Sequence, residues 1–383
     1  YYPYQTLYGL GYKNGSEAGA YFTVIANPSL KWETQISTDI ALEFGLFDRL
    51  TGTIEYFKKD SKDLLFDVSQ PASVGVTSII QNIGKVTNSG VEIELDYNAF
   101  KNKDWSVSVG ANATFVKNKI KNLPATMKEN GYISGSKKWL EGKSIYEFWL
   151  RQWHGVDPQT GDGLYVADVS KYNQGNIGTG DGNITQSQFD EYKKTVVTID
   201  GKELTNSYTY AKYDFSGSSI PDVYGGFNVR VSYKNFDLAA VFSYQLGGQI
   251  LDTNYATMMS MTEFGYAQSP DLLKAWKQAG DITEVPRIDN SAAHTTNIGQ
   301  SYSTRWLTSS DYLNLRSVTI GYQLPKTWLS KVMLKSARLN LTAENLFMLK
   351  ARQGLNPMAN YSGVTYNEYM PSRNITLGLN VSF

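Results

Sequence analysis

Cysteine is absent from the 383 residues, histidine occurs only twice and proline only 11 times. The missing thiols exclude a disulfide framework, a thiolate metal centre and a cysteine nucleophile. They do not exclude an oxidising compartment, because a large closed sheet needs no covalent staples. The two histidines, His154 and His294, stand far apart with no G-x-S-x-G elbow, so both read as polar loop residues rather than triad members. No run of about 18 apolar residues occurs, which excludes a membrane-spanning helix. Charge of one sign is also missing. Lys+Arg and Asp+Glu each total 36. A neutral chain offers no field for the phosphates of a nucleic acid. The glycines of GNIGTGDGNITQSQFDE, 175–191, have no strand-then-helix context and make no nucleotide site. No cofactor is expected.

What the chain has is tyrosine, 27 residues of it, with 16 Phe, 8 Trp and 33 Gly. That mixture favours short strands and turns over helices. Alternation with period two recurs along the sequence. Val91, Ile93, Leu95 and Tyr97 alternate with Glu92, Glu94, Asp96 and Asn98. Trp105, Val107, Val109, Ala111, Ala113 and Phe115 alternate with Ser106, Ser108, Gly110, Asn112 and Thr114. Ile375, Leu377, Leu379, Val381 and Phe383 alternate with Thr376, Gly378, Asn380 and Ser382.

A soluble sandwich turns such an apolar face inward, whereas a membrane barrel turns it out to lipid and lines its lumen with the polar face. Three features favour the barrel. Tight turns at 45–49, 101–103 and 234–235 contrast with long connections at 61–88, 118–143, 170–221, 248–308 and 348–372. Outer-membrane barrels have short periplasmic turns and long extracellular loops, and compact soluble domains rarely hold several loops of that length. Aromatics bracket the tight turns: Phe44 and Phe47, Phe100 and Trp105, Tyr233 and Phe236, Tyr322 and Trp328. Amphipathic rings settle at a membrane–water interface. The chain also ends on Phe383, within an alternating strand.

The expected fold is therefore all-β, a transmembrane antiparallel β-barrel in the outer membrane of a Gram-negative bacterium. Its strands are expected at 33–45, 50–60, 89–100, 104–117, 145–155, 163–169, 223–234, 236–247, 310–324, 335–347 and 373–383. Ile93, Leu95, Val107, Val109, Val229, Val231, Leu339, Leu341, Leu377 and Leu379 should face lipid. Glu92, Glu94, Asn112, Asn228, Arg230, Arg338, Asn340 and Asn380 should face the lumen. Packing of the apolar set against a second sheet would instead mean a structural or adhesive sandwich.

NPSLKWET at 27–34, IALEFGLFDRLTGTIEYFKKDSKDLL at 40–65 and QNIGKVTNSGVEIELDY at 81–97 resemble the SusC/RagA family of TonB-dependent transporters. YLNLRSVTIGYQLPKTWL at 312–329, SARLNLTAENLF at 336–347 and SRNITLGLNVSF at 372–383 resemble its late strands, in the same order. The resemblance implies a 22-stranded barrel of which 1–383 is the C-terminal half, with roughly 11 strands. It implies a plug and a TonB-binding segment elsewhere, a remaining barrel half, and a SusD-like lipoprotein lid. It also implies energised import of a large nutrient, oligosaccharide or oligopeptide. On this reading 1–28 is an extracellular loop, Tyr1 is not a true start, and any export signal lies upstream.

No enzyme is expected. Glu92, Glu94 and Asp96 share one strand face with the spacing of any solvated wall, so an acid pair for glycoside hydrolysis is the weaker reading. Asp181 is a weak calcium candidate, because an EF-hand frame around it would put Ile177 first and Gln188 twelfth where carboxylates are needed. Trp139, Trp149, Trp153, Tyr255, Tyr266, Trp276 and Trp306 are the candidates for contacting cargo. Aromatic faces stack on sugars and anchor peptides, although loop packing uses the same residues. Leu377, Leu379, Val381 and Phe383 resemble the terminal signal read by the outer-membrane insertion machinery.

Overall fold

The computed structural model describes every residue except 1–3, 71, 72, 74, 77, 181, 262–264, 266, 300 and 330–332. Tyr1, Asp181 and Tyr266 therefore lie outside the described residues. Among the described residues nine long antiparallel strands dominate: β1 Thr34–Leu46, β2 Leu50–Lys62, β3 Lys85–Lys101, β4 Trp105–Asn122, β5 Val223–Tyr233, β6 Phe236–Leu246, β7 Tyr312–Gln323, β8 Ser336–Glu344 and β9 Asn374–Ser382. The chain divides into two compact units. The first comprises Tyr1–Ser134, Lys138–Tyr146 and Val223–Ala239, and the second Gly135–Lys137, Glu147–Asp222 and Ala240–Phe383.

In the first unit β1 to β5 pair in chain order. Residues directly opposite in such a ladder share a face. Leu42 stands opposite Ile54, Ile54 opposite Ile93, and Ile93 opposite Ala113. The neighbouring rung is Glu43, Thr53, Glu94 and Asn112. One face is thus apolar and the other polar across all the strands, as the alternation predicts. Val229 pairs with Val109 and Asn228 with Gly110, which continues both faces onto β5. The tight turns cluster at one end. The Asn98 amide donates to the Arg49 carbonyl, and the Lys234 amide to that of Asp104. Phe47 and Asp48 both have positive φ, which closes the first hairpin with the twist its strands require. Trp105 and Tyr233 meet across the ladder at this end, ring centroids 4.2 Å apart.

In the second unit β8 lies between β7 and β9. Leu341 stands opposite Ile320 and Leu377, and Asn340 opposite Gly321 and Gly378. The side chain of Arg338 bonds to Asn340 on the polar face.

None of the ten apolar residues expected on the outer face is buried. Leu377 is 75% exposed, Leu379 60% and Leu341 45%; among strand residues of the first unit, Ile40 is 65% exposed. No second sheet covers these faces among the described residues, which rules out the sandwich. Glu55 also stands directly opposite Glu92 on the polar face. Like charges in that position destabilise a dry sheet, so this face belongs in water.

Two expected strands are not part of the wall. Over ten residue pairs β5 lies directly against β4, so neither 145–155 nor 163–169 lies between them. Glu147–Arg151 pairs instead with Tyr213–Ser218, and Trp153–Val156 with Gly163–Val166. Their five and four residues fall short of the roughly 9–11 that a tilted strand needs to cross a membrane. Because the two fall out together, the alternation of strand direction is preserved. The long connections also have structure of their own. Residues 7–24 form a hairpin, Leu7–Asn14 with Glu17–Val24. A capping box at Thr185 and Gln188 starts a helix, Gln186–Thr195, which buries Tyr192 against Tyr172 and Tyr210.

Candidate functional site

The connections of the second unit pack around Phe148, Leu150, Leu251, Val285, Trp306 and Val364, with Tyr255 and Leu307 against them. Phe148 and Leu150 are fully buried because alternate residues of Glu147–Arg151 point into this core. Gly363 has φ +67° and runs so close to Ser219 that a Cβ would come within 2.3 Å of its side chain, so only glycine fits there.

Beside this core runs an aromatic and arginine ladder. Trp149 stacks on Tyr213 with centroids 6.1 Å apart. The Arg151 guanidinium lies 4.3 Å from the Tyr213 ring and 3.2 Å from that of Tyr208, and also bonds to the Tyr213 hydroxyl. Tyr208 meets Tyr165, which meets Trp153 edge-on at 5.1 Å. The Arg305 guanidinium sits 4.7 Å from the Trp153 ring and 4.3 Å from that of Trp306. Tyr255 meets Trp306, and the Arg352 guanidinium lies 3.6 Å from the Tyr255 ring. Each cation over a ring face gains from the ring quadrupole, and more where water is excluded. Burial pulls the Arg305 pKa down to about 10, lowers that of Arg151 and raises that of the Tyr165 phenol.

The ladder brings together four of the seven aromatics singled out from sequence: Trp149, Trp153, Tyr255 and Trp306. Trp149, Trp153 and Tyr255 are half-buried and keep an exposed edge. Trp306 is only 2% exposed, so packing is its role. Trp276 stands apart, its indole donating to the Pro158 carbonyl. Trp139 belongs to the first unit, beside Phe66 and Tyr132. The arginines had no sequence signal, because stacking on rings follows no period.

His154 is exposed, whereas His294 is buried with Nε2 2.8 Å from the Arg287 carbonyl oxygen. Asp162 lies 3.8 Å from its Nδ1. No group of three or more metal-ligating side chains occurs among the described residues. Beside the calcium candidate, Ile184 is buried and bridges to Ile177, while Asn183 is exposed.

A family sequence model described as TonB dependent receptor-like, beta-barrel matches residues 2–346. The chain belongs to this family. TonB-dependent receptor P3 of Formosa agariphila is 29% identical over 384 residues, covering 95% of this chain and 36% of the relative. TonB-dependent receptor SusC of Bacteroides thetaiotaomicron is 24% identical, covering 93% and 32%. The RagAB peptide importer in its closed-closed state superposes with a TM-score of 0.77 at 25% identity, covering all of this chain and 39% of that one. The chain thus spans between 32% and 39% of the length of these relatives. The TonB-dependent receptors are outer-membrane proteins, and the uncovered apolar face is the lipid-facing side of an outer-membrane barrel wall. Among the described residues no helix is long and apolar enough to cross a membrane.

One cation in the loops of this receptor chain is unusually placed. Lys137 is buried, its Nζ 3.2 Å from the Phe148 ring centroid and bonded to the Ser219 hydroxyl at 3.3 Å. Burial draws its pKa from 10.5 down to about 7, with Glu147 pulling it partly back up. Between those two values the unfolded chain holds a proton that the folded chain has lost. Stability should therefore rise with pH across that window and be lowest below about 7. Lys137→Met should raise the thermal midpoint at pH 6 and flatten the rise toward pH 10. An unchanged pH profile in the variant would show that Lys137 carries none of it.

Proposed function

We propose that this chain is part of an outer-membrane importer of a large nutrient, oligosaccharide or oligopeptide, energised through TonB and closed by a SusD-like surface lipoprotein. The observation that carries this is the wall itself, one strand thick, with an uncovered apolar face and an acidic, water-facing inner face. Glu43, Glu55, Glu92, Glu94 and Asp96 share that inner face. The likeness to SusC and to the RagAB peptide importer supports the transport reading and the lipoprotein partner. Among the described residues β1 pairs only with β2, and β9 only with β8. Bare edges are prohibitive in lipid, so a remaining barrel half completes the wall. On this reading the tight turns are periplasmic. The connections after β2, β4, β6 and β8, together with 1–28, are extracellular.

Cargo is held against the exposed edges of Trp149, Trp153 and Tyr255, with Trp276 as a further contact, and Trp139 and Tyr266 are proposed contacts from the sequence alone. Trp149→Ala combined with Trp153→Ala should lower uptake of the cognate nutrient about ten-fold or more, since interface aromatics are typical anchors. Uptake would be measured for a labelled oligosaccharide pool and a labelled peptide pool, with barrel abundance held equal. Loss for one pool alone would identify the cargo class, and unchanged uptake of both would overturn the assignment. Affinity purification from native membranes should recover an abundant lipoprotein, and recovery of the barrel alone would remove the lid from the proposal.

A further inference from the structure

On the lipid-facing side of β4 the odd-numbered residues read Trp105, Val107, Val109, Ala111, Ala113, Phe115, Lys117 and Lys119, and Lys121 follows in a bulge between Ile120 and Asn122. The change from apolar to basic is abrupt, and the neighbouring strands change at the same level. Phe115 stands opposite Val91, which stands opposite Tyr56. One step further on the same face come Lys117, Ser89 and Lys58, and then Lys119, Thr87 and Asp60. Lys62 and Lys85 face each other at the next level. Six lysines and one acid thus edge the apolar band.

Asp60 is already engaged, 3.5 Å from Lys58, 3.4 Å from Lys85 and bonded to the Thr87 hydroxyl. Lys62, Lys117, Lys119 and Lys121 have no ion-pair partner among the described residues. Lys117, Lys119 and Lys121 are exposed. The tight-turn end of the same strands differs, because there Asp48 and Asp104 accompany Arg49, Lys101, Lys103 and Lys234.

The position of this edge is set by geometry. From Trp105 to Phe115 is ten residues, roughly 34 Å of strand, or about 24 Å of height at a 45° tilt. That is the height of the apolar band of an outer-membrane barrel. The lysines therefore begin where hydrocarbon gives way to headgroups, and their long stems allow the ammonium groups to reach that layer.

We propose that Lys58, Lys62, Lys85, Lys117, Lys119 and Lys121 form a docking rim for phosphate-bearing glycolipid headgroups of the outer leaflet. The inference rests on the reading above that the long-connection end of the wall faces outside. A row of six lysines against one aspartate keeps a net positive charge at headgroup level and is complementary to anionic lipid, and each lysine without an ion-pair partner contributes about five-fold in affinity. The rim would hold a shell of glycolipid around this part of the wall.

The test uses the full-length receptor in nanodiscs containing phosphorylated lipid A, enzymatically dephosphorylated lipid A or phosphatidylglycerol, followed by a mild detergent wash. Wild type should retain phosphorylated lipid A. The K117Q/K119Q/K121Q variant should bind it roughly a hundred-fold more weakly. K117R/K119R/K121R should restore it, and K101Q/K103Q at the opposite end should leave it unchanged. Heat modifiability verifies that each variant is a folded barrel. Equal retention by wild type and the glutamine variant would overturn the rim, as would equal retention of the dephosphorylated lipid or of phosphatidylglycerol. Glu129, exposed in the connection after β4, separates this result from the side assignment. If Glu129→Cys is labelled on intact cells and retention is unchanged, the rim alone fails. If it is labelled only after permeabilisation, the orientation fails and the outer-leaflet rim fails with it.

Discussion

Leu341→Arg should destabilise the assembled barrel by about 2–4 kcal/mol, the cost of a cation on the lipid face near mid-membrane, whereas Asn340→Arg should be close to neutral. The two residues are neighbours in the middle of β8. Leu341 lies on the rung of Ile320 and Leu377, which is apolar throughout. Asn340 lies on a rung with Gly321 and Gly378, which carry no side chains, and its replacement gives up only the bond that its Oδ1 accepts from Arg338. Successive residues of a strand point to opposite faces, so a single step along the chain moves the same guanidinium from hydrocarbon into the lumen. Denaturant unfolding of the full-length receptor in bilayers measures both variants. Equal costs would mean that lipid does not lie against one face only. The inverse order would mean that the sides are exchanged.

The sidedness of this wall could be read from sequence because period two survives along whole strands. At 91–98 and 105–115 every second residue is apolar, and one face must then be apolar whatever the register. The tight turns were legible for a related reason. They are short, they break the alternation, and aromatics such as Trp105 and Tyr233 flank them. Residues 145–155 carry a similar local pattern, and there the reading failed. Phe148 and Leu150 alternate with Glu147 and Trp149 as in a wall strand, but they point into a small core among the connections. Alternation records that one face is apolar and does not say whether lipid or protein covers it. Length was the missing criterion, since five residues do not cross a bilayer. The lysine rim falls between these cases. Lys117, Lys119 and Lys121 are visible as a continuation of the period, but only the register shows that Lys58 and Lys85 join them.

Trp306→Ala should destabilise the folded connections of the second unit by about 3–5 kcal/mol, the usual cost of emptying a large aromatic site in a core. The indole is 2% exposed and belongs to the cluster containing Phe148, Leu251 and Val364. It is also one wall of the Arg305 slot, and Trp153 is the other. Its loss leaves a cavity and exposes one face of a cation that burial already holds at a pKa of about 10. Arg305→Met should cost less. It keeps most of the packing volume and removes the charge, and exchanging a buried ion for a hydrophobe of similar size is often neutral. What it leaves behind is the Ile298 carbonyl, which accepts from Arg305 at 3.0 Å and would lose that donor, at about 1–3 kcal/mol. Limited proteolysis of the full-length receptor separates the two. Trp306→Ala should open the connection between β6 and β7 to cleavage while the wall stays heat-modifiable, and Arg305→Met should be cut more slowly. If Arg305→Met is instead the more rapidly cleaved, then the stacked cation, rather than the volume of the indole, holds these connections in order.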